Sequence, residues 1–474
     1  MDRRTPSPSL GAALALALAA GAALAGTAAA AEAPDQPPSS RARRSGPART
    51  ERQHAAARPS AARPEPVPSQ GGTAGPFPGL PAFALGLPTV GTATLDSKGL
   101  GLRSDTSDAV FHIGGRLHYD FGTANLDPKQ TFRALSADGS VRRAWFEASL
   151  KLDDVLVAFQ YDLASATRPV DDAYLSYRPF GGFHVVAGNF KEPFSLEQLE
   201  SNNTTLFAER SLLDTFSPQR DVGLGFGGNG ERWTLMGGAF GGTPVATGIG
   251  RFGVAGTARA TYAPVLDAVQ VLHLGVAGSY RALDRGGTAL AFNDKPEDFL
   301  FNRSLIATGA IRNADAVGRL GLEGAYQYGS VRLQSEVALT AVSGAGAADR
   351  TFQAGYAELG WVLNGPGRRY RVEAPGASEY AVFEGVDVPE ERRVSRGGVG
   401  VFEVAARVSA IDLRSGPVRG GAERDGSVGV NWYPDANLRL TVDYVHARAD
   451  PSAASVTGRR VDSDQLIGRA QVYW

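Results

Sequence analysis

Between residues 101 and 474 apolar side chains return at every second position, in one short segment after another, and none of these stretches is long and apolar enough for a membrane helix. In the first segment Phe111, Ile113, Leu117, Tyr119 and Phe121 alternate with His112, Gly114, Arg116, His118 and Asp120. A period of two puts one set of side chains on each face of an extended strand, so each segment has a wet face and an apolar face. The same dyad runs through Val155, Val157, Phe159 and Tyr161, through Val331, Leu333, Val337 and Leu339, and through Leu438, Leu440, Val442 and Tyr444. The segment cores fall near 111–121, 141–152, 155–163, 172–178, 182–190, 221–228, 231–240, 252–263, 270–282, 318–328, 330–342, 352–363, 400–413, 425–433, 437–448 and 464–474. That is about sixteen, and an even number of such strands is the pattern of a single-chain outer-membrane barrel.

The flanks supply the address. Arg3 and Arg4 precede an apolar Ala/Leu/Gly run from Leu10 to Leu24, and Ala29-Ala30-Ala31 offers a small-residue cleavage site, so residues 1–31 read as an export signal. Residues 32–100 read as a disordered linker: 12 of the 28 prolines lie between Glu32 and Val90, among Ala, Ser, Gln and Arg. Such a composition buries too little apolar surface to offset chain entropy. The absence of cysteine removes disulfides, thiolate metal sites and thiol catalysis, and a net charge of −1 does not suggest a duplex nucleic-acid binder. Of the 48 cationic residues 43 are arginine, the side chain whose fork suits oxyanions.

Loop parity agrees with a barrel whose amino-terminal end is periplasmic. Links such as Asp153-Asp154, Asn229-Gly230, Gly329 and Pro434-Asp435-Ala436 are short, whereas those around 122–140, 191–220, 283–317 and 449–463 are long. The stretch from Gly365 to Val399 breaks the rule, since it falls on the periplasmic side by count; it implies either a further strand pair or an unusually large turn. At the carboxyl end Leu466, Gly468, Ala470, Val472 and Trp474 share one face, and the chain stops on an aromatic. That ending resembles the terminal strand by which the outer-membrane assembly machinery recognises its clients.

Seven stretches carry a family resemblance, in order across roughly 108–474. They are Ile113–Leu117 (IGGRL), Val141–Glu147 (VRRAWFE), Asp171–Tyr177 (DDAYLSY), Val186–Glu197 (VAGNFKEPFSLE), Phe207–Ser211 (FAERS), Tyr356–Gly365 (YAELGWVLNG) and Val428–Pro434 (VGVNWYP). Together they resemble the phosphate-selective porins of the O and P type. The resemblance implies a homotrimer of sixteen-stranded barrels in the outer membrane of a Gram-negative bacterium. It also implies a third outer loop folded into the lumen, and an arginine-lined path leading inorganic phosphate or other small anions to a constriction. Here that loop is Lys191 to about Arg220, and Ser195-Leu196-Glu197-Gln198 within it has the spacing of a capping box, so a short helix is expected to start at Ser195.

A hydrated anion in a narrow lumen loses part of its water, and wall cations must replace it without holding the ion too tightly. The inward phase of the strands carries Arg116, Arg143, Lys151, Arg251, Arg259, Arg319 and Arg407. Adding the matched motifs, the candidate anion path is Arg116, Arg142, Arg143, Lys151, Lys191, Arg210 and Arg220. Arg142 lies on the opposite phase from Arg143 and reaches the lumen only if the strand is twisted or bulged there. The competing role for each cation is pairing with a wall carboxylate such as Glu147, Asp162, Asp172, Glu323, Glu336 or Glu403, which keeps the pore wet and the barrel satisfied.

The chain departs from a simple phosphate channel. The constriction loop reads Leu196-Glu197-Gln198-Leu199-Glu200-Ser201-Asn202-Asn203, with Gln and Asn where the family places lysines. A weakly selective general porin for organic acids or mixed solutes is therefore the alternative. A barrel lipid hydrolase is a distant one, because the six histidines have no nucleophile motif beside them. No catalytic set, cofactor or metal site is expected; the expected partners are small anions, membrane lipid and further copies of the chain.

Overall fold

The computed structural model describes residues 90–96, 99–125, 136–241, 253–284, 290–294, 296–301, 304–344, 349–374, 376–451 and 460–474. The export signal, most of the proline-rich arm and Arg251 lie outside them. The first elements are β1 (Val90–Asp96) and β2 (Gly99–Ser104), an antiparallel hairpin whose second strand pairs Leu100–Arg103 with Ile113–Val110. The linker assigned to 32–100 therefore runs too far, because this glycine-rich pair borrows its order from the edge of the next strand.

Sixteen strands then form the wall: β3 (Val110–Asn125), β4 (Ser136–Leu152), β5 (Val155–Asp162), β6 (Val170–Phe180), β7 (Phe183–Lys191), β8 (Arg220–Asn229), β9 (Trp233–Phe240), β10 (Ala255–Leu266), β11 (Gln270–Ala282), β12 (Ala316–Tyr328), β13 (Val331–Ser343), β14 (Arg350–Val362), β17 (Val401–Ser415), β18 (Val418–Asp435), β19 (Leu438–Pro451) and β20 (Val461–Tyr473), with the two-residue strands β15 (Tyr370–Arg371) and β16 (Val382–Phe383) between β14 and β17. Each wall strand pairs antiparallel with its sequence neighbour, and β20 closes the ring on β3 from Asp464↔Asn125 to Tyr473↔Arg116. Closure leaves no free edge in the bilayer, where an unpaired amide has no water to bond.

The outward phase is apolar and exposed, as in Leu320 and Leu322, Val428 and Val430, Val442 and Leu466. Trp233, Tyr328, Trp361 and Trp474 ring it near the short turns, with Phe121, Tyr280 and Tyr444 towards the other rim. This is the lipid-facing band of a transmembrane barrel with its aromatic girdles. The alternate phase, including Arg116, Arg143, Arg259, Glu323, Glu358, Glu403 and Arg407, is buried inside.

Among the described residues three segments fill the lumen. The third outer loop, 192–219, folds inward as expected; Ser195 caps the helical turn Leu196–Leu199 by accepting from the Gln198 amide at 3.2 Å. The described residues of the fifth outer loop, 283–315, also fold in and pack Phe292, Leu305, Ile306 and Ile311 against Phe194, Leu212, Leu213 and Phe216 of the third. Among its described residues the long periplasmic segment 363–400 carries the β15–β16 pair and two 3-10 turns, Glu390–Arg392 and Val394–Arg396, so it adds no wall strands; it turns up into the barrel. Its Tyr380 stacks on His184, and Arg368 binds Glu403 through two 2.8 Å bonds. One outer link is shorter than parity implies: β17 and β18 continue to Ser415 and from Val418, because Arg414, Arg419 and Arg424 can face water above the lipid band.

Candidate functional site

The residues expected to line the path divide into one group around the third loop and one outlier. The alternation of β4 turns Arg143 inward, and a register shift where His118 faces Arg143 but Tyr119 faces Val141 leaves Arg142 as the extra residue of a bulge. Arg142 is thereby aimed at the third loop, where its Nε and Nη2 donate to Glu209 at 2.8 and 3.1 Å; Phe299 of the fifth loop covers its guanidinium at 3.6 Å. Arg143 Nη1 stands 3.8 Å from the same carboxylate. Arg469 on β20, which sequence reasoning passed over, donates to Glu209 at 2.6 Å and holds Asp120 in a fork at 2.6 and 2.7 Å. Burial pushes the Glu209 carboxyl up, but the guanidinium groups of Arg142, Arg469 and Arg143 outweigh it and hold the carboxyl well below the usual range.

Below this cluster Arg116 donates through Nε to Glu147 at 2.5 Å and lies 4.3 Å from the Trp145 ring. Arg220 grips Asp172 at 2.7 and 3.1 Å, with Asp171 at 3.7 Å, and approaches the same indole at 5.6 Å. Lys191 and Arg210 differ from the rest. Lys191 Nζ donates to the carbonyl oxygens of Leu199 and Glu200 at 3.1 and 3.2 Å; Arg210 donates to those of Glu197, Gln198 and Glu200 at 3.0–3.3 Å. Both thus bind the carboxyl end of the helical turn, where its unpaired carbonyls and dipole favour cations. Lys151 does not join the group: it is exposed at the periplasmic end of β4, eight residues or roughly 27 Å of strand from Arg143.

Arg116, Lys191 and Arg220 line a cavity of about 1030 Å3 between the third loop and the periplasmic segment. Trp145, Glu147, Gln160, Asp172 and Asn202 stand on its near wall, and Arg369, Arg371, Glu379 and Glu384 on the far one. Several of the pairings weighed from the sequence are present: Arg116 with Glu147, Arg220 with Asp172, and Arg259 with Glu323 at 2.9 Å. Glu403 instead binds Arg368, and Glu336 accepts the first two amides of the helical turn, from Leu196 at 3.0 Å and Glu197 at 2.7 Å.

The opposite wall organises around Arg407 of β17. It meets Glu197 at 3.2 Å, Glu297 of the fifth loop at 2.5 Å and the Glu209 carbonyl at 3.1 Å, so one side chain ties both inner loops to the barrel. Burial pushes the Glu197 carboxyl up to about 7 against the pull of Arg407 and Ser211. Sequence reasoning missed Glu209, Arg469 and Glu297 as anchors; Glu209 stood inside a matched motif, but only its neighbour Arg210 has the charge expected of an anion path. Among the described residues no set of carboxylates and imidazoles has the geometry to hold a metal ion. His446, the histidine on the outside of β19, bonds Asp464 at 2.8 Å.

Comparison with known proteins finds a family and several relatives. A family model described as phosphate-selective porin O and P matches residues 111–474. An uncharacterised protein of Caulobacter vibrioides is 28% identical over 401 residues, covering 82% of this chain and 77% of its own. Porin O of Pseudomonas aeruginosa is 26% identical over 436 residues, covering 81% of this chain and 92% of its own. Among solved structures, an anion-selective porin from Comamonas acidovorans superposes with a TM-score of 0.48 at 11% identity, covering 77% of this chain and all of its own. The sixteen-stranded wall with its inward third loop belongs, like the sequence that builds it, to the phosphate-selective porin O and P family.

Proposed function

We propose that the protein is a passive outer-membrane porin for small hydrophilic solutes that prefers anions such as phosphate, working as a homotrimer. The single observation that carries the preference is the placing of Arg116, Lys191, Arg210 and Arg220 around the third loop. Two of them, Lys191 and Arg210, give their donors to carbonyl oxygens, and among the described residues no carboxylate forms an ion pair with either. An anion entering this stretch finds positive potential and side-chain dipoles in place of lost water, without a chelating grip that would stop it leaving. The outward face of β20, ending at exposed Trp474, supports recognition by the outer-membrane assembly machinery.

A second reading, a weakly selective porin for organic acids or mixed solutes, is favoured by the pairing of Arg116, Arg142 and Arg220 with carboxylates and by a cavity far larger than a phosphate ion. Reversal potentials in asymmetric KCl, followed by phosphate titration, separate the two readings. Anion preference and phosphate block of the chloride current, both weakened in Arg210→Ala, are the expected results. An open channel with a reversal potential near zero and no phosphate block would leave the general porin.

A further inference from the structure

The fifth outer loop lies against a wall that rises above the lipid band. On the outside of β18, β19 and β20, Arg424, His446, Arg448, Asp462 and Asp464 replace the apolar side chains found lower down, and His446 and Arg448 pair with Asp464 and Asp462 at 2.8 Å. Inside, at this height, β18 presents Glu423 and Asp425, which are 1% and 4% exposed. None of their four oxygens has a hydrogen-bond partner among the described residues.

Their surroundings are apolar or acidic. By register Glu423 lies between Ile411 of β17 and Ala449 of β19, and Asp425 between Ser409 and Ala447. The fifth loop covers them, bringing Ile306 against Gly421 and adding the carboxylates of Asp294 and Glu297. Asp294 accepts from Thr215 of the third loop at 3.0 Å. Glu297 accepts from Ser409 and Ser427 at 2.6 Å each and from Arg407. Arg407 is the cation that the described residues bring to this chamber, and it also serves Glu197 and, at 3.8 Å, Glu358 of β14.

Among the described residues Glu423 and Asp425 lie beside Glu297 with one guanidinium between them, so the three carboxylates cannot all stay charged out of water, and no set of side chains there has the geometry of a metal cage. A carboxyl group without a donor keeps its place in such a chamber as the neutral acid. If Glu423 and Asp425 ionise, they repel each other on the wall and Asp294 and Glu297 on the loop. The loop already holds Glu297 at a φ of 44°, a strained conformation for a side chain of this size.

We propose that the fifth outer loop is a proton-held latch, lying across the lumen while Glu423 and Asp425 are protonated and lifting from the β17–β19 wall to widen the outer half of the pore when they ionise. The sign follows from linkage: groups that bind protons more tightly when the loop is docked stabilise docking at low pH, and that stabilisation is lost as pH rises through their docked range. Asp298, on the same loop, is pushed up to about 6 by burial, against the bonds from the Phe301 and Leu300 amides, and adds to the effect in the same direction.

The inference rests on the porin reading, and single-channel conductance between about pH 5 and about pH 9 tests the two apart. Wild type is expected to gain about twofold in conductance as the loop population shifts, whereas Glu423→Gln/Asp425→Asn stays at the low value throughout. Asp425→Asn alone, with a smaller pH response, serves if the double variant fails to show a heat-modifiable mobility. Because the chain has no cysteine, Ile306→Cys reports the loop directly. Its labelling by an impermeant maleimide rises with pH more steeply in the wild-type background than with the amide pair. Failure to form any channel overturns the porin reading. A channel with no pH response, or with the same response in the amide variants, overturns the latch alone. A low-conductance state held at neutral pH by calcium rather than by protons overturns it as well.

Discussion

Arg469 shows how one buried cation is used in this barrel. It satisfies Asp120 with two bonds, Glu209 with a third and the Ala208 carbonyl with another, so it joins β20, β3 and the third loop at one point. Replacing it by methionine fills much of the same volume but leaves Asp120 buried without its cation. Breaking one partner of a buried pair costs about 3–5 kcal/mol, because the remaining charge stays desolvated. Arg469→Met is therefore expected to lower the temperature at which the protein loses its heat-modifiable mobility and to raise the conductance as the loop loosens. An unchanged transition would show that water reaches Asp120. Arg469 itself was not legible: on the dyad it is one inward residue among many, and its partners lie 349 and 260 residues away. Arg142 was legible in a conditional form, since its wrong phase announced that only a bulge could bring it inward.

At the level of elements the wall was read correctly and the fillings only in part. All sixteen strand cores fall within the observed strands or within a few residues of their ends, because alternation is a local signal repeated in each segment. The helical turn at Ser195 was also legible, since a cap is written in four adjacent residues. The inward course of loops 283–315 and 363–400 was not, because it depends on contacts such as Glu297 with Arg407 and Tyr380 with His184 that no local pattern encodes. The cap supports a further prediction. Ser195→Ala removes one of the bonds to the turn, worth about 1 kcal/mol, while Glu336 still holds the amides of Leu196 and Glu197. The turn should fray without leaving the wall, so current noise in the open channel is expected to increase with little change in mean conductance. A large conductance change would mean that Ser195, rather than Glu336, anchors the loop.

Taken whole, the molecule mixes both charges around the lumen, but Lys191 and Arg210 at the third loop are held by carbonyl oxygens, while Glu423 and Asp425 on β18 have no donor among the described residues. A chain whose barrel carries 38 Lys and Arg against 43 Asp and Glu from residue 100 onward can still favour anions, because an ion samples the local potential of its path and not the net charge. The range of that potential makes a prediction. Most guanidinium groups here already face carboxylates, so the anion preference proposed above would come from the field of the few cations bound to carbonyls rather than from direct coordination of the ion. Such a field reaches about 30 Å in 0.01 M salt and about 3 Å in 1 M. Reversal potentials measured at a fixed salt gradient should therefore show clear anion preference at the dilute end and little at the concentrated end. Contacts between a dehydrated anion and buried guanidinium groups are screened far less, so a preference that survives 1 M salt would move the selectivity from the field to a binding site, with Arg143 as the first residue to test.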